Sequence, residues 1–388
     1  MAPDETGKGA PQHWEKDLSA KQGPQFMTLH EFAKKASQRI PAGAWDYLMG
    51  ASETETTLKR NRMGIDAIAF KARVLRDVSD IDCSVTFMGD KIRMPVLLAP
   101  MGGIESFDPD GGASPAKASE AFNVPHMLSS QCSPGLEAVA EAANNHNIFQ
   151  LYVRCPQKEV DDWVKRAMDN GYNSFCMTVD SAHYSRRERD LSKRYAKKWR
   201  QKAATSGMNF QRALSWDEVK HYKDKFPDYP LTLKGIATAE DTEIALEHGV
   251  EGIYVSNHGG RQLDHGRGSI EVLPEVVKVA KGKATIFVDG SFMRGSDIVK
   301  AMALGADIFG IGRLEGLALG ADGVNGCIRM LEIIEAEIKN CMGLIGVTSF
   351  AELDESYLIR DAKVVTKPHQ FSAFPLLNLD DDGYSPSI

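Results

Sequence analysis

From Met94 onward the chain alternates short, wholly apolar runs with longer amphipathic stretches. The runs are MPVLLAP (94–100), HMLSS (126–130), IFQLYV (148–153), SFCMTVD (174–180), LTLKGI (231–236), GIYVSN (252–257), TIFVDG (285–290) and IFGIGR (308–313). Each is continuous rather than alternating, which predicts strands buried on both faces of a parallel sheet. Helical spacing fills most of the gaps. Residues 134–145 place Leu136, Val139, Ala140 and Ala143 on one face, and 159–170 do the same with Val160, Trp163, Val164 and Ala167. Residues 238–248, 270–280 and 295–304 follow suit, and TAEDTEIALEHG has a capping threonine, early acids and a closing glycine. Eight strands alternating with helices predict an α/β chain folded as a TIM (β/α)8 barrel, with an N-terminal helical extension and an extended loop after strand 4.

Three regions follow from this pattern. Residues 1–27 are polar and rich in Gly, Pro and charge, and read as a flexible arm. Residues 28–353 form the barrel domain, opening with the short helices TLHEFAKKASQRI and PAGAWDYLMGAS. Residues 354–388 form a C-terminal tail without periodicity. About fifty residues separate the fourth and fifth runs, among them the basic stretch HYSRRERDLSKRYAKKWRQKAATSG. Such a loop after a barrel strand belongs on the C-terminal face, where it can cover a site and meet an anion.

Composition narrows the function classes. A formal net charge of −7 argues against general affinity for nucleic acid. No apolar run is long enough for a membrane span, and the first residues lack the apolar core of a secretory signal. The six cysteines form no CxxC pair, so no zinc site or other metal site is expected. They read as reduced thiols of a cytoplasmic protein.

The chemistry is expected where polar residues end the strands. Gln150, Tyr152, Thr178, Asp180, Lys234, Ser256, His258, Asp289, Gly312 and Arg313 all stand there. One such residue is ordinarily a turn cap; ten aimed at one barrel mouth form a site. In SNHGGRQLDH, His258 is followed by Gly-Gly and by Arg261, a base beside a guanidinium, as proton abstraction from an anionic substrate requires. Asp180 is the candidate to orient the imidazole, whereas Asp264 reads as the end of the turn. The loops DGSFMRGSD and GIGRLEG follow the seventh and eighth runs, where these barrels often bind phosphate, and carry Gly290, Arg294, Gly312 and Arg313. No Rossmann glycine fingerprint follows an early strand.

Taken in order, TVD…SRRERD, LTLKGI, SNHGGRQLD, VDGSFMRGSD and GIGR resemble the FMN-dependent 2-hydroxy acid oxidases and dehydrogenases. The resemblance runs from about Thr28 to about Leu353. It implies oxidation of an L-2-hydroxy acid to the 2-oxo acid, a small anionic substrate, FMN as cofactor and a homotetramer. It implies His258 as base, supported by Asp180, with Tyr152 at the substrate hydroxyl. Arg261, Arg187 and Tyr47 would hold the substrate carboxylate. Ser129, Gln150, Thr178 and Lys234 would bind the flavin ring, with Pro100, Met101 and Gly102 running beside it and Lys234 placed to stabilise its reduced form. Ser256 and Asp289 would reach the ribityl chain and Gly312 and Arg313 the phosphate, with Gly290 also in the cofactor site.

The chain departs from that pattern at several positions. Met293 replaces an arginine usual at the FMN phosphate, which leaves compensation to Arg294 or the basic loop, or else weaker FMN binding. Ser291 and Leu314 replace a glycine and a proline. Gln131 replaces an aromatic residue common in the oxidase branch, and Met101 a small polar one. Both fall where the substrate side chain is expected, so the resemblance does not carry glycolate or lactate over as the substrate. Gly102 stands where glycolate oxidase has alanine. A second reading keeps the flavin and changes the substrate to a larger, specialised one, such as a peptide-derived amine. A third, a flavin-binding scaffold without turnover, leaves His258, Arg261, Tyr47, Tyr152 and Asp180 without a purpose.

Overall fold

A computed structural model describes residues 25–195, 207–363 and 373–374. The eight apolar runs become eight parallel strands: β1 (Val96–Leu98), β2 (His126–Ser129), β3 (Asn147–Leu151), β4 (Ser174–Thr178), β5 (Leu231–Ile236), β6 (Gly252–Val255), β7 (Thr285–Val288) and β8 (Ile308–Ile311). Each pairs with its sequence neighbours and β8 pairs with β1, closing the barrel. Nearly every strand residue is buried, as continuous apolar runs require. Helices cover the outside, and Trp163 of Gln157–Asp169 stacks on Phe149 of β3 at 5.4 Å.

Two details refine the periodicity. The stretch 134–145 is helical only over Leu136–Ala142, with Gly135 at its N-cap. The closing segment, Arg313–Ile345, is two helices that meet at a kink of non-helical backbone at Asp322–Gly323. The cap on Ala239–Glu247 is as expected: the Thr238 hydroxyl accepts from the Asp241 amide at 3.1 Å.

The barrel axis is filled. Leu97, Met127, Ile148, Cys176, Tyr254, Phe287 and Ile308 point inward as one buried cluster. A hairpin, Val85–Phe87 paired with Asp90–Ile92, sits at the N-terminal end and pushes Phe87 and Ile92 into that cluster. The Phe87 ring meets Phe287 edge-on at 5.9 Å and His146, just before β3, at 6.3 Å. Gly310 of β8 faces Tyr254, and a Cβ there would lie 1.9 Å from the tyrosine oxygen. Gly310→Ala is therefore expected to cost about 1–3 kcal/mol through overpacking. A lowered thermal midpoint with earlier release of flavin would show it.

Ahead of the barrel, Leu29–Arg39 and Ala42–Met49 form as expected, the first capped by Thr28. A third helix, Thr56–Asp66, was not evident in the pattern. Asp264 caps it, accepting from the amides of Thr54 and Thr57 at 2.9 and 2.8 Å, so this acid does close a turn. Of the expected arm, residues 1–24 lie outside the described residues, while Phe26 is buried and stacks on Phe32 at 4.3 Å. Beyond Leu353, the strand Leu358–Ile359 pairs with Ala69–Phe70. Within the long loop after β4, Glu188–Ser192, Met208–Ala213 and Trp216–Lys225 are helical. The basic residues 196–206 lie outside the described residues.

Candidate active site

The C-terminal mouth opens into a cavity with an empty volume of about 1120 Å³, its open mouth included. Tyr47, Pro100, Met101, Gly102, Tyr152, Arg187, Lys234, His258, Arg261, Asp289, Gly290, Gly312 and Arg313 all line it, as expected.

His258 stands at its centre. Its backbone is left-handed (φ 60°), unusual for a side chain of this size, and Gly259 and Gly260 continue in the same region (φ 64° and 77°). Gly260 can be nothing else, since a Cβ would come within 2.6 Å of the Leu58 amide nitrogen. The turn aims the imidazole back across the mouth. Its Nδ1 lies 3.0 Å from Asp180 Oδ1, and its Nε2 lies 3.1 Å from the Tyr152 hydroxyl. Nδ1–H donates to the carboxylate, so Nε2 carries the lone pair and accepts from Tyr152. Burial pushes the His258 pKa down, with Lys234 and Arg187 adding to the effect; Asp180 opposes this without cancelling it. Burial works to raise the Asp180 pKa, but His258 and then Lys234 outweigh it and hold the carboxyl below its ordinary range. The resting pair is a neutral imidazole on a carboxylate. Burial also raises the Tyr152 pKa, which keeps the phenol a proton donor.

Two guanidinium groups face this pair. Arg261 Nη1 is anchored on the carbonyls of Tyr47 and Gly50 at 2.6 and 2.8 Å, while its Nη2 is buried without a partner. Arg187 reaches the Arg261 carbonyl at 3.2 Å. Among the described residues neither guanidinium is ion-paired. Burial first and Arg187 second push the Arg261 pKa down, the mark of a cation with no counter-ion. The Tyr47 hydroxyl donates to the Gly102 carbonyl at 3.0 Å, tying the N-terminal extension to the β1 loop.

Deeper in, the Lys234 ammonium donates to Ser256 Oγ at 2.9 Å and lies 3.2 Å from Asp289. Burial alone would lower its pKa, but Asp289 and Asp180 raise it, so it stays charged. Ser256 Oγ passes a hydrogen bond to Asp289 Oδ1 at 2.7 Å and receives the His258 amide at 3.0 Å. At the ends of β3 and β4, Gln150 Nε2 donates to Thr178 Oγ1 at 2.8 Å and leaves its own buried carbonyl unpartnered. Ser129 Oγ accepts the Gln131 amide at 3.2 Å. Ser129, Gln150, Thr178 and Ser256 are thus brought to the mouth, behind the residues that form its wall.

Arg294 is a correction. Its guanidinium turns outward, 2.5 Å from Glu337 of the closing helix and 3.3 Å from the Ala373 carbonyl, and it does not line the cavity. It cannot replace the arginine that Met293 displaces. Pattern reading also missed Leu48, Phe107, Arg154, His183, Tyr184 and Met208, which complete the wall. Tyr184 adjoins the SRRERD signature and stacks under the Arg187 guanidinium at 4.6 Å, a signal that proximity in sequence offered.

The unmet groups suit a ligand with a polar ring and an anionic end. Gln150 offers an acceptor and Lys234 a cation at one end; Ser291 Oγ and Arg313 Nε are buried and unpartnered at the other. No group of three or more metal-ligating side chains occurs among the described residues. Fold and site together define a barrel oxidoreductase that works through flavin mononucleotide. Residues 36–360 match the model of the FMN-dependent dehydrogenases, and the chain belongs to that family. It is 37% identical to glycolate oxidase 1 of Zea mays over 371 residues, 90% of this chain and 99% of the relative. Spinacia oleracea glycolate oxidase is 34% identical, covering 87% and 96%. The crystal structure of a mandelate oxidase superposes with a TM-score of 0.81 at 33% identity, covering 88% of this chain and all of that one.

Proposed function

We propose that the enzyme oxidises an L-2-hydroxy acid to the 2-oxo acid, with His258 as the base. The observation that carries this reading is the pairing of a neutral, carboxylate-oriented imidazole with two unpaired guanidinium groups across one cavity. The guanidinium groups suit the substrate carboxylate, which places the adjacent hydroxyl at His258 Nε2. His258 takes the hydroxyl proton, and Asp180 stabilises the imidazolium that results. Tyr152 donates a hydrogen bond to the substrate oxygen. FMN, when bound, would supply the acceptor for the hydrogen and electron pair of the substrate's Cα–H bond. Lys234 would hold a fixed positive charge for the ring, Gln150 and Thr178 would meet its polar edge, and Ser256 and Asp289 would hold the ribityl chain.

The substrate side chain is larger than a methyl group. Leu48, Met101, Phe107 and Met208 form an apolar wall, and Gly102 adds room beside Gln131. A homotetramer suits this reading. Exposed Val74, Leu75 and Leu344 offer apolar contact, and the Arg73–Ile345 backbone bond gathers them on one stretch of surface.

Anaerobic bleaching of the flavin across a panel of 2-hydroxy acids and their 2-amino counterparts tests the reaction. Bleaching by the amines alone would overturn it. The pH profile carries a sign. His258 must be neutral to act, and its pKa lies below the ordinary value of about 6.5. The expected kcat/KM falls on an acid limb whose midpoint lies below the ordinary histidine value. Asp180→Asn removes the group that raises this pKa, so the acid limb should move lower still while turnover slows.

A further inference from the structure

Among the described residues no second cation joins Arg313 at the end of the cavity where Met293 stands, yet that end contains an unexplained serine. Ser291 holds a left-handed backbone (φ 63°), a conformation that disfavours any side chain. It is only 7% exposed, it lines the cavity, and its hydroxyl has no partner. A buried, unsatisfied hydroxyl on a strained turn is doubly unfavourable unless a ligand meets it.

The adjacent helix terminus is not free to do the work. The amides of Met293 and Arg294 both donate to Asp297 Oδ2, at 3.0 and 3.1 Å, and Gly295 donates to Glu337 at 2.8 Å. Asp297 is in turn locked to buried Arg62 at 2.7 Å, and Arg62 braces the Ser291 carbonyl at 3.2 Å. What remains toward the cavity is the Ser291 hydroxyl, the Ser291 and Phe292 amides, which have no protein acceptor among the described residues, and Arg313. Arg313 is anchored on the carbonyls of Gly259 and Gly50 at 2.9 and 2.8 Å, with Nε unpartnered and no ion pair among the described residues. Burial and neighbouring Arg261 push its pKa down to about 9.

We propose that Ser291 is a phosphate ligand: its hydroxyl, with Arg313 as the cation beside it among the described residues, receives the FMN phosphate where the chain has Met293. This rests on the flavin reading. The phosphate would then be held mainly by hydrogen bonds, and the strain at Ser291 is retained for that contact.

The test is equilibrium binding to the full chain stripped of flavin. Quenching of flavin fluorescence gives the dissociation constants of FMN and of riboflavin, which lacks the phosphate. Ser291→Ala is expected to weaken FMN about 10- to 100-fold, the range for a lost hydrogen bond to a charged group, and to leave riboflavin unchanged. Ser291→Gly relieves the left-handed strain, so the apoprotein should melt at the same or a higher temperature while FMN still binds more weakly. Undiminished FMN affinity in both variants, or equal losses for FMN and riboflavin, would overturn the inference alone. Failure of the unaltered chain to bind FMN would overturn the flavin reading and this inference with it.

Discussion

His258→Ala is expected to lower turnover by roughly 10²–10⁴-fold, the usual contribution of a positioned general base, and to leave FMN bound. The separation follows from the geometry. His258 contacts Asp180, Tyr152 and Ser256, and none of these bonds reaches the phosphate end. Rapid mixing under anaerobic conditions measures the step directly, as the rate at which substrate bleaches the flavin. An unchanged rate in a variant that retains its yellow colour would remove His258 from the chemistry. Tyr152→Phe should slow the same step less, because Asp180 still holds the imidazole in the reactive tautomer.

Arg261→Ala is expected to cost about 2–5 kcal/mol of substrate and transition-state binding, as truncation of a buried charge partner does. That is a fall in kcat/KM of roughly thirty-fold to several thousand-fold. Arg261 also carries the Tyr47 and Gly50 carbonyls, so a purely structural loss must be told apart. Two measurements do so. Arg261→Lys keeps the charge, loses the two-pronged geometry and should recover only part of the activity. Inhibition by the 2-oxo acid product should collapse in Arg261→Ala, while inhibition by its neutral amide should hardly change. Equal losses for acid and amide would assign Arg261 to the scaffold.

The barrel was legible because a strand buried on both faces leaves an uninterrupted apolar run, and all eight runs contain strands. The mouth was legible for a related reason. A polar residue ending such a run has few places to go but the C-terminal rim, and His258, Asp180, Tyr152 and Lys234 meet there. Arg294 shows where that logic stops. It ends a loop that follows a strand and directly precedes a helix, but its partner, Glu337, arrives from a helix more than forty residues later and turns the charge outward. Phe107 and Met208 were missed for the converse reason, since nothing local distinguishes an apolar loop residue that lines a cavity from one that packs beneath it. The hairpin at 85–92 gave no signal, because its two strands are three residues each and only Phe87 and Ile92 are buried in the barrel.

That hairpin has a consequence for traffic. With Phe87 and Ile92 pressed into the inward cluster, the barrel is a vessel with a stopper in its base. Nothing the size of a hydroxy acid, or of the oxidant that must follow it, can pass along the axis. Among the described residues, arrival and departure share the C-terminal mouth, beside Tyr184 and Arg187. The keto product has to leave by the route that admits its successor, so entry and release compete at the rim.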